Sequence, residues 1–263
     1  NVELDLKQPL FGACSDNNRG GKDSMTEWMY VALLALLAGS AIPAGATLAS
    51  IENIHPNWFE SEWKHSVLAF GGGALLAAVA LVLVPEGIRH LHLMSSIVCF
   101  VTGSLIFFAM DNTLKALKTP ASNLVAMLAD FLPEALALGA SFARGADFGL
   151  LLVVMMIFQN IPEGFNAYRE VHHSSQLNSK AALKNFSLLS LTGPIAGLVG
   201  YFWLSGNPAI ISGIMLFASG GILYVLFEDI APQAHLKWSA APALAVNGGF
   251  LVGLIGHIII SHR

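Results

Sequence analysis

The sequence predicts an all-α polytopic membrane protein of eight transmembrane helices, and three observations predict it. Only 11% of the 263 residues are charged and 55% are hydrophobic, whereas an ordinary soluble domain is about a quarter charged. The apolar residues gather into eight runs, each near the ~20 residues that a helix needs to cross a bilayer. No lysine or arginine falls inside any of those runs. The connectors are short, so function must lie in the membrane part.

In chain order, residues 1–27 are polar and irregular, with Asn17-Asn18-Arg19-Gly20-Gly21 in their middle. They lack the basic start and apolar core of a signal peptide. A disordered tail is expected there, ahead of a single transmembrane domain over 28–263. The expected spans are 28–51, 66–85, 93–110, 121–143, 148–168, 186–204, 210–230 and 240–260. An even number of spans puts both termini on one side. One face then receives Lys64, Lys115, Lys118, Arg169, Lys180, Lys184 and Lys237; near the span ends the other receives Arg89, Arg144 and Arg263. The positive-inside rule makes the first face cytoplasmic and leaves both termini outside. Small residues crowd 38–50, 71–78 and 218–221, as close helix packing requires.

Charge and cysteine content exclude other classes. The net charge is −4 with no basic patch, which argues against a nucleic-acid partner. Cys14 and Cys99 can form neither a disulfide framework nor a zinc finger. No H-E-x-x-H helix or nucleophile elbow suggests a hydrolase, so the chain reads as a non-enzyme.

Six acidic residues lie within or at the edges of the spans: Glu86, Asp130, Glu134, Glu163, Glu228 and Asp229. A charged side chain at a helix centre costs roughly 2.5–3.5 kcal/mol on insertion scales and marks an ion or proton pathway. Asp130-Phe131-Leu132-Pro133-Glu134 in the fourth span is answered by Gln159-Asn160-Ile161-Pro162-Glu163 in the fifth. Asp130 and Glu134 share one helical face at i and i+4, and so do Gln159 and Glu163.

The short connector 144–147 makes the two spans antiparallel neighbours. Asp130 is about nine and Gln159 about eleven residues into its span, near the midplane at 1.5 Å rise per residue. Each proline removes an intrahelical hydrogen bond, so Pro133, Pro162 and Pro232 release the carbonyls of Ala129, Phe158 and Glu228. Kinked helices with loosened carbonyls and carboxylates are expected to form an oxygen cage. Glu86, in Pro85-Glu86-Gly87, reads either as a helix-end residue or as a pathway carboxylate. The histidines at 90, 92, 172, 173 and 235 read as solvated loop residues, and His257 as a packing residue.

These motifs resemble the ZIP (Zrt/Irt-like) divalent-metal transporters. In that family the fourth span carries His-Asn-x-Pro-Glu-Gly and the fifth a related His/Gln-x-x-Pro-Glu. Here 130–135 and 159–164 match them, with Val84-Pro85-Glu86-Gly87, Gly193-Pro194 and 228–232 continuing the likeness over all eight spans. The resemblance implies a divergent, bacterial-type member in which spans 1–3 and 6–8 are inverted repeats around a metal-binding pair, spans 4 and 5. By position it implies metal ligands Asp130, Glu134, Gln159 and Glu163, with Asn160 as an extra ligand. It implies a release route past Glu228, Asp229 and Asp111. Two residues of the family's second metal site are replaced, by Phe131 and Gly193, which predicts one ion in place of two.

The implied cargo is a divalent cation (zinc, iron, manganese or cadmium) carried as substrate, with no cofactor. Asp130 in place of the family's histidine leaves only oxygen donors, which favour harder ions than zinc such as manganese or ferrous iron. The expected partners are divalent metal ions, the lipid bilayer and, as an assembly, a homodimer; the expected location is the plasma (inner) membrane. A non-transporting metal-binding relative, a proton-shuttling transporter and an intramembrane metal-dependent hydrolase are the competing readings.

Overall fold

Apolar runs of this length close every backbone hydrogen bond within themselves only as helices, and eight such helices stand among the described residues. The computed structural model describes residues 24–54, 62–116, 122–143, 148–174, 178–234 and 239–261. The helices long and apolar enough to cross a membrane are α1 (Glu27–Ile51), α2 (His65–Gly87), α3 (Leu93–Ala116), α4 (Leu124–Ala143), α5 (Phe148–His172), α6 (Ser179–Leu204), α7 (Pro208–Ala234) and α8 (Ala241–Ile260). The expectation of a disordered tail falls mostly on residues 1–23, outside the described residues.

Three helix ends reach past the sequence expectation, and all three move charge into helices. The third helix does not stop near Met110 but runs to Ala116, taking Asp111 and Lys115 with it. The statement that no lysine lies inside a span therefore fails. The expected loop 169–185 is largely helical: one helix continues to Ser174 and the next begins at Ser179. That start is fixed by Asn178, whose side chain accepts from the Lys180 N–H at 3.2 Å. His172 is therefore helical, with its ring stacked on buried Tyr168 at 5.4 Å, and is not a loop residue. His90 and His92 are exposed, as expected.

Of the three prolines singled out, the backbone loosens only at Pro232, and it does so at Pro85 as well. The helices Ser122–Ala143 and Phe148–Ser174 run through Pro133 and Pro162 without a break. Widened π-helical turns occur at Val79–Leu83 and Leu226–Ile230, with a third at Gly200–Leu204. In the first the Val84 N–H reaches the Val79 carbonyl; in the second the Ala231 N–H reaches that of Leu226. The first two turns are each followed one residue later by a proline, Pro85 or Pro232. Proline cannot donate to the carbonyl four residues back and its ring crowds it, so the preceding residue bonds five back. In α6 the chain breaks at Ser190 and Leu191, where the Gly193 N–H bonds the Ser190 carbonyl at 3.3 Å just before Pro194.

Close crossings use glycine on both partners. Where α2 meets α8, a Cβ at Gly73 would strike the Val246 carbonyl and one at Gly249 the Phe70 carbonyl. Where α3 meets α7, Gly103 lies on the Phe217 carbonyl and Gly220 on the Phe100 carbonyl. The α1/α5 crossing uses Gly45 and Gly164 in the same way, and α4/α6 uses Gly139 and Gly200. Backbones come this close only where a side chain is missing. The result places α4 and α5 side by side, with α1, α2 and α8 also packed on α5, while α3 and α8 keep most of their surface outward.

Candidate functional site

Asp130 and Glu134 lie on α4, and Gln159, Asn160 and Glu163 on α5. Asp130 is 3% exposed, Gln159 1%, and Glu134 and Asn160 0%. Helical periodicity puts Asp130 with Glu134 and Gln159 with Glu163; the α4/α5 contact then joins the two sets. The Gln159 Nε2 donates to Glu134 Oε2 across that contact. Asp130 lies in the electrostatic field of Glu134, and Glu163 in those of both. Asp130 Oδ1 accepts from the Phe131 N–H at 2.7 Å. Asn160 sits one residue round the helix and turns toward α1, donating through Nδ2 to the Ala38 carbonyl at 3.0 Å.

What remains unbonded is mostly acceptor. Glu134 Oε1, Gln159 Oε1, Asn160 Oδ1 and both carboxylate oxygens of Glu163 are buried with no hydrogen-bond partner. Native interiors pair nearly all such atoms, and exceptions call for a water or an ion. The donor set, carboxylate and amide oxygens on two adjacent helices, has the chemistry of a hard or borderline divalent cation. Among the described residues no three His, Cys, Asp or Glu side chains form a metal-holding group by themselves.

Phe131 and Gly193 touch each other. Phe131 is fully buried, and a Cβ at Gly193 would lie 2.8 Å from its ring tip. The phenyl ring fills the space beside Gly193.

From the centre a cavity of about 30 Å³ leads along Asp130, Glu163, Asn166, Gln233 and Asp229. A second of the same size is lined by Asp111 and Lys115 and shares Ala126, Val225 and Asp229 with the first. Either volume suits one water-sized occupant. At the far end Lys115 Nζ sits 2.7 Å from Asp111, 2.9 Å from Glu228 and 3.9 Å from Asp229, while the Tyr224 hydroxyl donates to Asp111 at 2.8 Å. Glu86 lies apart from these groups, paired with Arg89 at 3.0 Å beside a cavity of about 280 Å³ that also reaches His257.

Sequence reasoning missed Lys115, Tyr224, Asn166 and Gln233. Three of them had a signal. Lys115 is four residues after Asp111, Asn166 three after Glu163 and Gln233 four after Asp229, each on the face of the acid it follows. Tyr224 had none, because it meets Asp111 only through the α3/α7 crossing.

Fold and site together define a multi-pass helical membrane protein with a buried, cation-poor group of carboxylates and amides. The chain is 27% identical to the zinc transporter SLC39A7 of Homo sapiens over 148 residues, 53% of this chain and 31% of that protein. Zinc transporter SLC39A7 of Rattus norvegicus matches at 26% and that of Mus musculus at 25%, with the same coverage. The chain thus spans about a third of the length of the curated relatives it matches. No family model matches it.

Proposed function

We propose that the chain is a ZIP-like transporter, not an enzyme, and that it takes divalent transition-metal cations into the cytoplasm. The observation that carries this reading is the set of five buried, unpartnered oxygens on Glu134, Gln159, Asn160 and Glu163, with the Asp130 carboxylate beside them. Burying carboxylates without a counter-charge is strongly unfavourable, and a divalent cation supplies that charge. Asp130, Glu134, Gln159 and Glu163 are its ligands, with Asn160 as a further oxygen donor. The cation comes from the face where Glu86 stands, loses water to this oxygen set, and leaves past Asp229, Glu228 and Asp111. The likeness to SLC39A7 supports metal as the cargo.

An inverted repeat of spans 1–3 and 6–8 accounts for the packing. Exchanging α1 with α6, α2 with α7, α3 with α8 and α4 with α5 converts the α2/α8 glycine crossing into α7/α3, and α1/α5 into α6/α4. It also carries one proline-linked π-helical turn onto the other. The Phe131 ring against Gly193 supports a single ion, since it takes the space of the family's second site. Donor chemistry favours manganese or ferrous iron, while the relatives are named for zinc; competition binding on the purified protein decides between them. A plasma (inner) membrane location, external termini and a homodimer complete the proposal.

The test is labelled-metal uptake into vesicles. Asp130→Ala with Glu163→Ala reduces uptake to background while the thermal transition stays cooperative. Undiminished uptake by a folded double variant sinks the site.

A further inference from the structure

We propose that Lys115 is the inner gate of the cation path: its ammonium stands in for the departing ion among Asp111, Glu228 and Asp229, and the cargo leaves only by displacing it. The inference rests on the transport reading above. Its geometric basis is that one Nζ lies within 4.0 Å of oxygens from all three carboxylates, which come from two helices, α3 and α7. Asp111 is 8% exposed and further held by Tyr224, so its carboxylate is fixed. Lys115 and Glu228 each keep about half of the side chain exposed, 47% in both. One wall of the cluster is rigid and the bridging cation is the part able to swing out, since a lysine stem has four rotatable bonds.

The cluster also lies on the path. Asp229, Ala126 and Val225 line both small cavities, the one that reaches Glu163 and the one that reaches Lys115. Glu163 presents two unpartnered oxygens at the inner cavity's other end. A cation moving from Glu163 toward Asp229 meets carboxylates already engaged by an ammonium. Repulsion between the two cations pushes Lys115 outward, and the vacated oxygens take over the ion. When the ion departs, the ammonium returns and the positive charge at the exit opposes backflow. No bond is made or broken, and no proton is required.

The test reads charge at the shared cavity wall. Ala126→Cys is placed in a Cys14→Ser, Cys99→Ser background and reconstituted with its cytoplasmic face accessible. It is modified in parallel with a trimethylammonium-ethyl and a sulfonatoethyl methanethiosulfonate. With Lys115→Met the ratio of cationic to anionic modification rates rises about tenfold, the order expected for removing one unit charge a few ångströms away. Lys115→Arg keeps the charge and leaves the ratio at the wild-type value. A mere loosening of the helix ends speeds both reagents alike and overturns the proposal, as does an unchanged ratio in Lys115→Met. If Ala126→Cys does not fold, Val225→Cys reports on the same wall. Because the readout is thiol chemistry, it is independent of metal flux: loss of the ratio change refutes the gate, whereas undiminished uptake by the Asp130/Glu163 double variant refutes the transport reading.

Discussion

Two groups of acidic side chains lie within this helical bundle, and they meet the problem of buried negative charge in opposite ways. At the centre, Glu134 accepts from the Gln159 amide, and among the described residues no basic side chain forms an ion pair with Asp130, Glu134 or Glu163. At the far end, Asp111, Glu228 and Asp229 converge on Lys115. The difference teaches what an unpaired carboxylate signifies in an apolar setting. The chain has the means to neutralise acids with its own lysine and does so at the rim. At the centre it offers only amides and carboxylates, the setting in which the proposed cation would supply the counter-charge.

The contrast breaks first at Glu163. Glu163→Gln removes one ligand charge with little change of shape and lowers divalent-metal affinity on the order of a hundredfold, measured by isothermal titration on the purified protein. Asp229→Asn leaves Lys115 two partners and lowers affinity far less; equal losses at the two positions erase the distinction.

The next effect concerns the scaffold. Gly103→Val drives a side chain into the Phe217 carbonyl and lowers stability by about 1–3 kcal/mol, the usual range for overpacking. A thermal melt in detergent reads it. The metal affinity of the folded fraction stays unchanged, which separates the bundle from its site.

Chemistry at the centre can be retuned. Gln159→His supplies a nitrogen donor and moves the zinc-to-manganese affinity ratio toward zinc by about tenfold, read by metal competition. An unchanged ratio removes Gln159 from the ligand set. The smallest effect belongs to Glu86, whose partner Arg89 is 42% exposed. Glu86→Gln changes stability by less than about 1 kcal/mol, as for other partly solvated pairs.

Much of this arrangement was legible in the residues alone. Apolar runs of bilayer length define the eight helices, and the i, i+4 spacing pairs Asp130 with Glu134 and Gln159 with Glu163. Helix ends were less legible. A charged residue at a membrane boundary fits a loop and a continuing helix equally well, so Lys115 and His172 were read as loop residues. The prolines misled in a similar way. Pro133, Pro162 and Pro232 were expected to loosen their helices; a widened turn stands before Pro232 and another before Pro85, while the helices run unbroken through Pro133 and Pro162.

By itself the sequence determined the class of protein, its eight spans and which polar residues share a helical face. All of these follow from local periodicity and from the cost of exposing backbone or charge to lipid. Only the tertiary structure decided that Asn160 turns to the Ala38 carbonyl, that Phe131 fills the space at Gly193, and that Lys115 of one helix gathers Glu228 and Asp229 of another. Those contacts are set where glycines let backbones meet, and a crossing between segments distant in sequence leaves no periodic trace in either one.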